Sequence, residues 1–160
     1  RLRPVEELIR KAEEMGINVE DLILSAMSRL DPQAGIKTRL ELAEKYMSEA
    51  EGYLSKGDVV QSSEKAYKVA EELVKALAEK FNLPEHQQAV REGRWYAYSL
   101  ASAAARLSQR LGDWVRAGWS SAYVLHVWGF HEGRLDLEAV KVMLGDVKRM
   151  LEEAEKVLMA

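Results

Sequence analysis

Residues 39–81 read RLELAEKYMSEAEGYLSKGDVVQSSEKAYKVAEELVKALAEKF. Apolar residues recur at Leu40, Ala43, Met47, Ala50 and Leu54. These alternating steps of three and four make a seam along one helix face. Lys56-Gly57 breaks the run. Asp58-Val59-Val60-Gln61 then reads as a capping box with Asp58 in the cap position. The helix that it opens gathers Ala66, Tyr67, Ala70, Leu73, Val74, Leu77 and Phe81. The stretch predicts two helices joined by a tight turn.

Working outward, the same period continues in both directions. Upstream, Pro4 suits the first turn of a helix carrying Val5, Leu8, Ile9, Ala12 and Met15, and Gly16 ends it. Asn18 caps a second helix with Leu22, Ile23, Ala26, Met27 and Leu30, which Asp31-Pro32 closes. Downstream, Asn82-Leu83-Pro84 is a break and an alanine-rich helix runs to Gly112. Another helix starts near Asp113, and Asp136 caps a last one whose seam is Leu137, Val140, Leu144, Val147, Leu151, Ala154 and Leu158. No segment alternates with period two, so no sheet is predicted. The expected fold is all-α: a four- to five-helix up-down bundle. Its long helices lie at 36–55, 59–81, 92–111, 113–131 and 137–158. Residues 1–33 form an N-terminal helical pair or arm, and 34–160 the bundle.

Composition narrows the chemistry by exclusion. The 160 residues contain no cysteine, which removes disulfide scaffolds, zinc ribbons, iron–sulfur clusters and thiol nucleophiles. Three histidines leave little scope for a metal site, and neither a metal nor a cofactor is expected. No apolar run reaches the roughly 20 residues that span a bilayer. The chain opens on Arg1, not methionine, and its first residues lack the apolar core of a secretory signal. A cytoplasmic setting is expected. Walker, dinucleotide-binding, nucleophile-elbow and EF-hand patterns are all missing from the sequence.

The net charge of −3 hides an asymmetry. Residues 91–119 carry a balance of +3, all of the positive charge being arginine, set in a remainder of −6. Trp95, Trp114 and Trp119 lie in the same segment. Two readings stand side by side. Arg94, Arg106 and Arg110 could contact an anion, since arginine binds phosphate bidentately and aromatic rings stack on bases. Alternatively, the tryptophans fill the core and the arginines pair with acidic neighbouring helices.

The most site-like residues are His126, His131 and Glu132. On an α-helix the histidines stand about 140° apart and share no face unless the helix ends near Gly129. The plain expectation puts one histidine on a buried hydrogen bond and the other at a helix end, against the dipole. Glu64 is expected to approach the interior, partnered by the histidine segment or an arginine. Glu71 and Lys75, four apart, read as a surface pair. The second helix begins with Glu20 and Asp21, which would repel DNA phosphates. The first two helices are therefore expected to dock on the bundle or reach a second subunit, with Pro32 and Gly35 as a hinge.

Leu42-Ala43-Glu44-Lys45-Tyr46 through Glu71-Glu72-Leu73-Val74-Lys75-Ala76-Leu77 is similar to the opening hairpin of HEPN-type bundles. Leu125-His126-Val127-Trp128-Gly129-Phe130-His131-Glu132, with Gly57 to Lys65 and Gly93-Arg94-Trp95, resembles the archaeal PaREP family, a HEPN-like group. The resemblance spans about residues 5–158. It implies a helical bundle, a homodimer, and a site between the central helices. HEPN proteins include ribonucleases and partners of nucleotidyltransferases. Their nuclease signature is an arginine four to six residues before a histidine. Here Arg116 precedes His126 by ten positions, so catalysis is not expected. The expected role is binding of a nucleotide, RNA or a nucleotidyltransferase-type partner in a groove flanked by Glu64, Arg116, His126, His131 and Glu132. A metal-independent ribonuclease with a degenerate site, and a dimerisation module built on the 40–54 and 137–158 seams, are the alternatives.

Overall fold

Asp58 caps its helix as the sequence predicts, its side chain accepting from the Gln61 N–H at 3.1 Å. The same device starts three other helices, at Asn18, Asp31 and Asp136. The computed structural model describes residues 3–160, all-helical with no strand among them. The α-helices are α1 (Pro4–Glu14), α2 (Val19–Leu30), α3 (Pro32–Ser55), α4 (Val59–Lys80), α5 (Pro84–Glu92), α6 (Ala97–Leu111), α7 (Asp113–Val124) and α8 (Leu137–Leu158). A π-helical segment, Leu125–His131, continues α7.

Three details differ from the expectation. Asp31 caps α3 directly and Pro32 takes its first position, so that helix starts four residues early. Pro32 and Gly35 are therefore helical and form no hinge. A Cβ on Gly35 would lie 1.8 Å from Ser28 Oγ, so the glycine lets α2 and α3 pack closely. The expected helix at 92–111 begins only at Ala97, and a separate helix, α5, precedes it and closes on Gly93 (φ +74°). The expected helix at 113–131 keeps its length but changes winding from Leu125 onward.

The central element is α4. It packs against α3 in the hairpin and against α6, α7, α8 and the π-helical segment. Its residues Glu72 to Ala78 are buried without interruption, as befits a helix surrounded on all sides. Leu73, Leu77, Val69 and Val74 meet Leu107, Val115, Leu125, Val147 and Met150 in one core. Truncating such a leucine to alanine costs roughly 2–5 kcal/mol. The 40–54 and 137–158 seams are spent inside this core. Leu40, Ala43, Met47, Val140, Val147 and Ala154 are all buried, so the seams are not an outer face awaiting a partner.

Candidate functional site

The change of winding at Leu125 decides where the histidines go. An i→i+5 ladder links residues five apart directly, so they lie over one another. The Glu132 N–H donates to the Val127 carbonyl at 2.9 Å in this pattern. Close packing accompanies it. A Cβ on Gly129 would stand 2.3 Å from Ser63 Oγ and 2.7 Å from Ser63 Cβ, so only glycine lets the segment lie this near α4.

His126 and His131 consequently meet. Their Nε2 atoms are 3.2 Å apart and their rings are edge to face. His126 Nδ1 lies 2.9 Å from Glu64 Oε1 on α4. A carboxylate only accepts, so His126 carries a proton on Nδ1, and in the neutral ring its Nε2 accepts from His131 Nε2–H. The three side chains form a relay that runs from Glu64, 19% exposed, through His126, 23% exposed, to His131 at the surface. The His126 ring stacks on Tyr67 at 3.9 Å, with Phe130 and Tyr123 farther off at 6.4 and 6.2 Å. Aromatic faces thus lock the imidazole that the carboxylate orients. Burial, followed by the charge of Glu71, pushes the Tyr67 phenol above its ordinary range, so it stays protonated.

The remaining candidates do not converge here. Arg116 is exposed near the start of α7, paired with Asp113 at 3.2 Å. It stands ten residues, or about 15 Å along a helix axis, before His126. Glu132 is exposed just beyond the π-helical segment. Arg94 lies over the Tyr96 ring at 4.4 Å, and Arg110 over Phe81 at 4.1 Å. Arg106 grips Glu85 with two hydrogen bonds of 3.2 Å, which Ser102 joins at 2.8 Å. Trp114 and Trp119 are buried. Of Arg94, Arg106 and Arg110, only Arg106 pairs with an acidic side chain, while Arg94 and Arg110 lie over aromatic rings. Among the described residues no cluster of three or more acidic or imidazole groups could hold a metal ion.

A second polar cluster escaped the sequence reading. Arg39 Nη1 donates to Asp21 Oδ1 at 2.9 Å and to Glu72 Oε1 at 2.7 Å, and Lys75 Nζ donates to Asp21 Oδ2 at 2.7 Å. All but the Asp21 side chain are 6% exposed or less. Burial opposes ionisation of Asp21, but Lys75 and Arg39 together outweigh it and hold the carboxyl below its ordinary value. Tyr46 donates to Glu20 alongside. These contacts tie α2 to α3 and α4. The Glu71–Lys75 surface pair is thereby corrected: Lys75 is buried and turned to Asp21. Glu71 is left largely shielded, and burial pushes it up to about 7, with Glu72, Asp21 and Glu64 adding to the rise and Lys75 opposing it.

Comparison with known proteins places the chain. Residues 38–151 match the model of the archaeal PaREP1/PaREP8 family. A crystal structure of a Sulfolobus solfataricus protein is 42% identical with TM-score 0.67, covering 73% of this chain and 96% of that one. A solution structure of the same structural-genomics target is 40% identical with TM-score 0.65, covering 73% and 91%. No curated protein matches the chain. No described helix is long and apolar enough to cross a membrane.

Proposed function

Because this chain belongs to the archaeal PaREP1/PaREP8 family and carries its histidine relay within the matched region, we propose that it binds a nucleotide or single-stranded RNA at His126 and His131. The observation that carries this reading is the Glu64–His126–His131 chain of contacts, ending on an exposed imidazole. A protonated imidazole at that end offers an N–H to a phosphate oxygen, and Glu64 balances the charge at the buried end. Exposed Tyr123, beside Tyr67 and His126, supplies a ring on which a base can stack. A homodimer would present two such sites. The absence of cysteine suits a cytoplasmic setting.

Fluorescence anisotropy with a labelled RNA oligomer at low salt, with nucleotides as competitors, tests the reading. His131→Ala is expected to weaken binding by about tenfold, or ~1.4 kcal/mol. A contact with one or two phosphates also implies a shallow salt dependence. No binding to RNA or nucleotides, or equal binding by the variant, would sink the proposal. A nucleotidyltransferase-type protein partner would then be the next occupant to test.

A second reading is favoured by the tautomer of His126. Its Nε2 lone pair, freed when a substrate displaces His131, and its ring, oriented by Glu64, make the arrangement of a general base, with His131 in reach to exchange the proton. The chain would then be a metal-independent ribonuclease without the usual arginine. Cleavage of labelled RNA by the wild type, abolished in the His126→Ala/His131→Ala variant, would support it. Equal cleavage by both would point to a contaminating nuclease.

A further inference from the structure

The family model begins at residue 38, and the Sulfolobus protein is matched along 96% of its length by only 73% of this chain. About a quarter of this chain therefore has no counterpart there, and α1 and α2 precede the family region. Among the described residues, many of the exposed large apolar side chains lie between Val5 and Leu30. No residue of α1 is buried, and Val5, Leu8 and Met15 form a bare stripe, Met15 being 78% exposed. On α2, Asp21, Leu24 and Ser28 face the bundle, while Leu22, Ile23 and Leu30 lie on the opposite side, Leu30 at 90% exposure. An 11-residue helix without tertiary packing is marginal in water, so α1 needs a covering surface.

We propose that this face is the dimer interface, covered by the same two helices of a second copy of the chain in a two-fold, four-helix contact. Area and charge both select this occupant. The six exposed side chains present roughly 700 Å², close to the ~800 Å² per partner of a stable interface. The polar side of α1 pairs Arg3 with Glu6, Lys11 with Glu7 and Arg10 with Glu14, and Glu13 leaves it slightly acidic. It has no lysine and arginine excess, which both an anionic membrane and a nucleic acid would need. A second copy offers an equal apolar area, and two-fold pairing closes the assembly at two chains. The contact does not depend on the ligand of the histidine site.

Size-exclusion chromatography with light scattering on the full chain, up to about 100 µM, detects a dimer of micromolar Kd. The wild type should run at twice the chain mass and Leu8→Glu/Leu30→Glu at the chain mass, with helicity by circular dichroism reduced by no more than the 11 residues of α1. Both positions are exposed, so the fold does not depend on them. If the double variant loses more helicity than that, Leu30→Glu alone decides, and it should raise the dimer Kd at least tenfold. A wild type that is monomeric throughout overturns the proposal. So does a dimer that persists in the folded variants, because assembly then uses another surface. A monomer that floats with phosphatidylcholine vesicles also overturns it, assigning the face to lipid.

Discussion

His131 Nε2 lies 3.2 Å from His126 Nε2, although on an α-helix the two residues would point about 140° apart. The π-helical winding of Leu125–His131 makes this contact possible, and Gly129 against Ser63 lets the winding lie on α4. Four predictions follow from the geometry around it and around the second polar cluster.

Gly129→Ala should separate the segment from α4. The added methyl meets Ser63 at both Oγ and Cβ, and overpacking of this kind costs about 1–3 kcal/mol. Chemical denaturation measures the loss. Ser63→Ala in the same chain should restore only part of it, since the Cβ contact remains. Full stability in Gly129→Ala would show that the close approach does not matter.

The tautomer of His126 is open to direct measurement. Nitrogen-15 NMR of the imidazoles at alkaline pH should find His126 protonated on Nδ1, facing Glu64, and His131 on Nε2. Glu64→Ala should release the preference at His126. A wild-type His126 that holds its proton on Nε2 would contradict the relay.

Arg39→Met should be among the most damaging polar substitutions. It leaves the buried Glu72 carboxyl without its 2.7 Å partner, and breaking a buried pair costs about 3–5 kcal/mol. Arg39→Met/Glu72→Leu should recover much of the loss. Amide exchange in α2 should accelerate in the single variant ahead of exchange in α4, because Arg39 also holds Asp21.

Glu71 gives the stability curve a definite sign. Its carboxyl titrates near 7 in the folded chain against an ordinary 4.5, so the folded state binds the proton more tightly. The stability that this supplies is complete below about 4.5 and disappears as pH rises through about 7. Glu71→Gln removes the dependence. Its advantage over wild type should be absent in acid and grow to about 1–3 kcal/mol at pH 8, after allowing for partial solvent access. Thermal unfolding at both pH values checks it, and a constant difference would exclude Glu71 as the source.

The hairpin and the helix starts were legible because they are local. Lys56-Gly57-Asp58, Asn18 and Asp136 act on backbone within four residues of themselves. The family resemblance at Leu125–Glu132 agrees with the family match, which covers the whole of that run. The histidine contact was not legible. A 3.6-residue period says nothing about one turn wound differently, and the cause lies across the core at Ser63. The buried charges were hidden for another reason: Arg39, Glu72 and Lys75 look like a solvated face to a hydropathy pattern. One signal was available for Arg39. It lies three residues after Ile36 and seven before Tyr46, inside the packed stripe of α3.

The π-helical segment also means that the site is encoded by spacing as much as by side chains. Deleting one residue between His126 and His131 would keep Glu64, both imidazoles and Tyr67. The imidazoles would then stand four residues apart, neighbours on an ordinary α-helix, so the π-helical winding is what brings together a pair spaced by five. Winding and spacing are therefore matched to each other here, and the five-residue interval is the counterpart of the wider turn.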